Sequence, residues 1–329
     1  MSQTKSNHIS YRDIFLYSDQ SSDKFDIDII DKIEDDYNKF HEHEFSKFID
    51  LLSTNKNTCP KCKSTNIIGH GYDRNGTARF KCKTCDTTFN QAKNSLLFSS
   101  KINIKAWYAF LECVLSGTSI QSACRVAKIS KVTGYNWMKK IFKSLEKYQE
   151  NIRIYGNIFI DETYIHVDKS KTIYKKEIGK TKKVLKEPRG ISINKICILL
   201  ATNKVESFAE IVNKGRPTRI RNYEICKKHI VPKSLLIGDE DYSLTYAAKE
   251  LNLKRIMYKS NTELAYKKLK PVDQLCNRLK FFLNKHRGFK KDVLQDYINL
   301  FIFVDNHRKT KPLYETTQKL LKLMFSFRY

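Results

Sequence analysis

Long apolar runs are missing from this chain. Nowhere in its 329 residues does an uncharged hydrophobic stretch approach the roughly 20 residues of a membrane span. The opening "MSQTKSNHISYRD" is polar throughout, so no signal peptide is expected. Cytoplasmic residence follows as the expectation (nuclear in a eukaryotic host), with thiols kept reduced. The nine cysteines are then read as metal ligands or core residues, not disulfides. Several hydrolase signatures are also lacking: no G-x-S-x-G and no H-E-x-x-H occurs. "GKT" at 179–181 imitates the end of a P-loop, but Tyr174 stands where its first glycine is required, which removes an ATPase reading.

Negative charge is scarce and unevenly placed. There are 35 acidic against 61 basic residues, for a net charge of +26. Residues 1–50 run the other way, with 12 acidic and 6 basic side chains, so the remainder carries +32. Such a balance points to a polyanion, most simply nucleic acid; a merely Lys-rich surface is the plainer alternative. A hydrophobic content of 41% suffices for a true core.

Composition divides the chain. Residues 1–22 are polar and expected to be disordered. Over 23–52, Ile29, Ile30, Ile33, Tyr37, Phe40, Phe45 and Phe48 recur at loosely helical spacing, predicting one or two acidic helices. "HEHE" at 41–44 reads as a solvated helix face rather than a metal site. The acidic arm is placed at 1–56.

"CPKC" at 59–62 and "CKTC" at 82–85 each bring two thiols onto one tight loop, with 19 residues between Cys62 and Cys82. Cys59, Cys62, Cys82 and Cys85 can therefore complete one tetrahedral Zn²⁺. Short β-like runs at Asn66–His70 and Thr77–Lys81, with turn residues between, make a zinc ribbon over 57–92. Four thiolates leave no open coordination position, so this zinc is expected to be structural.

Residues 100–150 read as three helices. Ile104, Trp107, Tyr108, Leu111, Val114 and Leu115 form a stripe ended by Gly117. "TSIQSACRVAKIS" follows as a short helix, and "KVTGYNWMKKIFKSLEKYQ" as a third, Lys-rich one. The pattern suits a helix-turn-helix-like unit with Lys131–Lys140 as recognition helix, or an ordinary three-helix packing unit.

From Asn157 the periodicity becomes that of strands. "NIFIDETYIHVD" is a buried strand interrupted by Asp161, and burying a bare carboxylate is costly without a cation. "GISINKICILLATN" supplies one or two strands, "SLLIGD" a short one stopping at Asp239, and "KRIMYKS" another, with helices between. A long helix is expected to open near Asp273. Strands first, then β-α-β-α, with acids on strand one, at a strand end and on a late helix, is the order of a ribonuclease-H-like fold. The whole is thus an α+β multidomain chain. Asp161, Asp239 and Asp273 are candidate ligands for Mg²⁺ or Mn²⁺, since hard oxygen ligands favour these ions. Two such ions can activate an attacking oxygen and steady a leaving one. Alternation predicts that Glu162 points away from Asp161. Asp241 rivals Asp239, Glu263 rivals Asp273 from a polar linker, and Asp273 could instead cap its helix. The insertion 169–189 holds nine Lys/Arg and two Glu, predicting a basic hairpin or loop that grips phosphates.

The runs "CPKC…FKCKTCDTTFN…SLLFSSKINIKAWYAFLECVLSGTS", "FIDETYI", "LIGDEDYS" and "VDQLCNRLKFFLNKHRGFKKDVLQDYINLF" together resemble the zinc-ribbon DDE transposases of bacterial insertion sequences, the Merlin-related group. The resemblance covers about residues 57–304. It implies a transposase that binds element ends and uses a metal-held acidic triad for strand cleavage and transfer, with Asp161, Asp239 and Asp273 at the triad positions. It also implies double-stranded DNA as partner, and a homo-oligomer on that DNA. The catalytic domain is placed at 155–304, and a basic tail at 305–329. Asp273 and Cys276 replace the usual Asn, Glu or His and the usual His of the third motif. A non-catalytic DNA-binding regulator, or repurposed transposase, is therefore the alternative.

Overall fold

The computed structural model describes residues 58–72, 78–90, 96, 104–166, 175–178, 181–184, 195–286, 291–308 and 311–326. The chain separates into Met1–Lys56 and Asn57–Tyr329. The first unit, with the acidic arm, its expected helices and "HEHE", lies outside the described residues. All of the described residues belong to the second.

Three short strands, β1 (Ile67–Tyr72), β2 (Ala78–Cys82) and β3 (Thr88–Asn90), form an antiparallel sheet in that order. Phe80 and Phe89 lie with ring centroids 6.0 Å apart and are buried together with Cys59 and Cys82. So few apolar side chains make too small a core to hold a fold alone, which leaves room for a metal to do so.

Helices α1 (Ile104–Leu115), α2 (Ile120–Val126) and α3 (Lys131–Glu150) come next. Ser119 and Ser130 cap the second and third, each accepting a backbone N–H at 3.1 Å. Trp107 of α1 stacks on Trp137 of α3 with centroids 3.6 Å apart, and Phe110 meets Trp137 edge-on at 5.4 Å. Gly134 faces α2, where a β-carbon would press into the Cys124 sulfur.

The main sheet has five strands in the order β10-β9-β4-β7-β8: β4 (Asn157–His166), β7 (Lys195–Thr202), β8 (Ser207–Lys214), β9 (Leu235–Asp239) and β10 (Lys254–Tyr258). β4, β9 and β10 run parallel, while β7 runs against both of its neighbours. Helix α4 (Arg219–His229) joins β8 to β9, and α5 (Tyr242–Glu250) joins β9 to β10. Helix α6 (Glu263–Lys285) packs on β4, β7 and β9. Its stripe of Ala265, Leu269, Val272, Cys276, Leu279 and Leu283 is buried at helical spacing, which explains the contact. After a single 3₁₀ turn come α7 (Leu294–Arg308) and α8 (Leu313–Ser326). Between β4 and β7, β5 (Lys175–Ile178) and β6 (Thr181–Val184) pair as the hairpin anticipated within the basic insertion.

An open sheet edge is a liability. Here β8 has its outer backbone groups taken by amide side chains. Asn306 accepts from Ser207 N at 2.8 Å and donates to Ser207 O at 2.9 Å. Gln295 accepts from Ile211 N at 2.9 Å, and Gln149, near the end of α3, donates to Ala209 O at 2.7 Å. The three-helix unit is thereby tied to the sheet.

Three expectations change. Helix α6 opens at Glu263, capped by Thr262, and runs through Pro271, so Asp273 lies ten residues inside it and cannot be its cap. Glu263 is in the first turn, paired with Lys267 at 2.7 Å, and not in a linker. The segment expected as a basic tail contains the end of α7 and all of α8, whose Leu313, Leu320, Leu321 and Met324 are buried. Strands β3 and β8 were not anticipated. Among the described residues no helix is long and apolar enough to cross a membrane.

Gly134→Ala should lower stability by about 1–3 kcal/mol, as overpacking does. The cost should shrink in a Gly134→Ala/Cys124→Ala double variant, measured by denaturant unfolding. Equal losses in both would place the strain elsewhere.

Candidate metal centre and acidic site

The two cysteine pairs sit on loops with the same backbone pattern. Lys63 N donates to Cys59 O and Asp86 N to Cys82 O, both at 2.9 Å. Cys59 N donates to Ser64 O at 2.8 Å, and Cys82 N to Thr87 O at 3.1 Å. The residue after each pair, Lys63 or Asp86, has a positive φ, of 61° and 57°. All four Sγ atoms lie within 4.8 Å of one another, with Cys59–Cys85 and Cys62–Cys82 both at 3.6 Å. Zn–S bonds of about 2.3 Å give a tetrahedron with edges of about 3.8 Å, so these thiols fit a zinc ion. Hydrogen bonding from the Thr87 side chain and backbone pushes the Cys85 thiol down to about 6, towards the thiolate that a metal takes.

The second site gathers residues distant in sequence. β4 and β9 pair in a fixed parallel register, Asn157 against Leu235 and Phe159 against Ile237. Asp161 and Asp239 lie two residues beyond the last paired residues of their strands, near enough that the charge of Asp239 is felt at Asp161. The strands come close because residue 238 is glycine: a β-carbon there would lie 2.9 Å from the Ile160 carbonyl oxygen. Asp273 arrives from α6, one turn before the buried Cys276. Burial, above all, pushes the Asp161 carboxyl up to about 7; the charges of Asp239, Asp273 and Glu162 push the same way, against one hydrogen bond from Glu162 N at 2.8 Å. Asp239 is raised by burial and by Asp241, with Arg255 opposing; Asp273 is raised by burial. Cys276 is raised by burial, and the Asp161 charge adds to this. Arg255 donates to Asp239 O at 2.7 Å.

Asp161 thus feels the charges of both Asp239 and Asp273, and all three carboxyls are held above their ordinary range. Their oxygens are not drawn together as the cysteine sulfurs are, the one such group among the described residues. Glu162 faces the other side of the sheet, as alternation requires, and meets Asn222 and Ser243 there. Asp241, the rival to Asp239, caps α5 by accepting from Ser243 N at 2.6 Å and Leu244 N at 3.3 Å. Sequence reasoning had no signal for Asn222, Ser243 or Arg255, single polar residues within otherwise ordinary elements.

No protein-family model matches the chain. A Halobacterium salinarum protein described as an uncharacterized protein in transposable element ISH50 is 27% identical over 108 residues, 32% of this chain and 36% of that protein. The chain thus matches about a third of that relative's length. Among solved structures it is similar to a Mos1 strand transfer complex, with TM-score 0.30 and 11% identity over 66% of this chain and 74% of that one. It is also similar to a Mos1 mariner paired-end complex with Mn, with TM-score 0.29 and 10% identity over 65% and 75%. Scores this low carry no structural equivalence, and the strand order above stands on its own.

Two outcomes are expected. Purified under reducing, chelator-free conditions, the protein should carry one Zn²⁺ per chain, and Cys82→Ser should lose it; elemental analysis finding none in the wild type would contradict the site. Without added divalent metal, folded Asp161 keeps its proton to about 7, while the unfolded chain releases it near 3.8. Stability from this group is therefore present in full at low pH and lost as pH rises through 7. Asp161→Asn should exceed the wild type in stability by about 1–3 kcal/mol at pH 8, the gap widening between about pH 4 and 7 and then levelling. A less stable variant at pH 8 would contradict this.

Proposed function

We propose that this protein is a DNA transposase of the zinc-ribbon DDE kind, cutting and joining DNA with divalent metal. The observation that carries the reading is that Asp161, on a central strand, feels the charges of Asp239, at a neighbouring strand end, and of Asp273, on a helix. Residues 155–304 act as a ribonuclease-H-like catalytic domain. In support, counting along the chain, the five strands lie in the order 3-2-1-4-5 and the second alone runs against the rest. The similarity to a protein of a transposable element agrees.

In this reading the three aspartates hold one or two Mg²⁺ or Mn²⁺ ions, which supply an activated water or 3′-hydroxyl and a stabilised leaving oxygen. Asp161 gives up its proton to do so, and the burial that raised it keeps competing water away. The zinc ribbon at 57–92 and the helical unit at 100–150 bind the element ends. On α3 the face away from Trp137, Met138 and Ile141 exposes Lys131, Val132, Tyr135, Asn136 and Lys139 at the amino-terminal end, with Val132 71% and Tyr135 59% exposed. Apolar and amide side chains flanked by lysines suit base edges beside phosphates in a major groove. The basic β5–β6 hairpin adds phosphate contacts near the site. Bringing two element ends together calls for a dimer or larger assembly on DNA.

The test is cleavage of the DNA ends that flank the gene. The wild type should cut them with Mg²⁺ and not without it. Asp161→Asn and Asp239→Asn should lose at least about 100-fold in rate while still binding the ends with salt-dependent affinity. A folded Asp273→Ala variant with full activity would show that another residue closes the site. End binding by the wild type without metal-dependent cleavage would favour the regulator.

A further inference from the structure

The register between β4 and β9 stops at Phe159 and Ile237, two residues short of the aspartates. Asp161 remains paired to Leu200 on its other side, and Asp239 to Tyr258. At the level of the acids, ladder pairing therefore no longer fixes the distance across this seam, and the two carboxylates repel one another. Something else must hold the seam.

On the opposite face of the sheet a chain of hydrogen bonds crosses it. Glu162 adjoins Asp161, and Asp241 lies two residues past Asp239. Between them stand Asn222 of α4, fully buried, and Ser243 of α5, nearly so. The Asn222 amide donates to Glu162 Oε1 and to Ser243 Oγ, both at 2.6 Å. The Tyr164 hydroxyl donates to Glu162 Oε2 at 3.0 Å, fixing the other oxygen. The Ser243 hydroxyl has one proton and two acceptors in reach, Asp241 Oδ1 in close contact and Glu162 Oε1 at 3.2 Å. Directed to Asp241, that proton leaves Glu162 to Asn222, and the chain is continuous: β4, Glu162, Asn222, Ser243, Asp241, end of β9. Asn222 Oδ1 finds no partner, a cost in a buried amide that marks the residue as placed for its two donors.

We propose that Glu162, Asn222, Ser243 and Asp241 form a clamp that sets the spacing of Asp161 and Asp239, and through it their affinity for a divalent cation. These are positioning residues, acting through the two aspartates. The inference rests on the metal-binding reading of those aspartates.

Mn²⁺ binding to the full chain without DNA, followed by the loss of the free-ion electron paramagnetic resonance signal at fixed pH, tests it. Asn222→Leu keeps the bulk and removes both donors. Ser243→Ala removes one hydroxyl, and Asp241 still accepts the backbone N–H groups of α5. Each should weaken Mn²⁺ binding about tenfold, as loss of groups that orient metal ligands does, with near-ultraviolet circular dichroism unchanged. Thr218→Ala is the control: it removes the cap of α4, which accepts Arg221 N at 3.4 Å, without touching the clamp. It should lower stability and leave Mn²⁺ affinity as in the wild type. A merely structural role for Asn222 predicts the same behaviour from Asn222→Leu as from Thr218→Ala, and that result would overturn the clamp. Should Asn222→Leu fail to fold, undiminished Mn²⁺ binding by Ser243→Ala would overturn it equally. A wild type that binds no Mn²⁺, or binds it no better than Asp161→Asn, would instead overturn the metal-site reading beneath it.

Discussion

Asp161 and Asp239 repel one another across the seam between β4 and β9, beyond the last paired residues of the two strands, and that repulsion constrains their surroundings. Water alone would screen them, yet burial removes much of it and lifts the Asp161 carboxyl to about 7. A third carboxylate from α6 adds to the charge. Such crowding makes no sense for stability alone, since each raised carboxyl works against folding near neutral pH. In the proposed reading a cation completes the site. Gly238 belongs to the same constraint: without a β-carbon it lets β9 approach the Ile160 carbonyl next to the acid it carries.

Several helices of the second unit are tied to the sheet that carries the acids. Helix α6 crosses β4, β7 and β9 with an unbroken apolar stripe, and Arg278 ties it to Asp305 of α7 at 2.7 Å. Helix α7 in turn closes the β8 edge through Gln295 and Asn306. Gln149 brings the carboxyl-terminal end of α3 to the same strand. At about 1.5 Å per residue the 20 residues of α3 span about 30 Å. One helix therefore links the exposed face proposed for DNA to the sheet that carries the acids.

Much of this was legible in the sequence where spacing and chemistry coincide. Two C-x-x-C pairs have few other uses in a reducing environment, and the four thiols do meet. Asp161 was conspicuous because it interrupts an apolar strand. The start of α6 was missed because Pro271 reads as a breaker, although Ala265, Leu269 and Val272 continue the stripe across it. The carboxyl-terminal helix was hidden by its lysines; Leu313, Leu320, Leu321 and Met324 form its buried side. Asn222 and Ser243 were invisible for another reason. Their significance lies in which carboxylates they reach across the fold, and no local pattern encodes that.

The central claim is that Asp161 and Asp239 share a divalent cation. Anomalous diffraction from crystals soaked in Mn²⁺ tests it most directly. A manganese peak between the middle of β4 and the end of β9, with oxygens of both carboxylates at about 2.1 Å and Asp273 facing the ion, is the predicted result. Manganese bound elsewhere on the protein, with those carboxylates holding none, would contradict it.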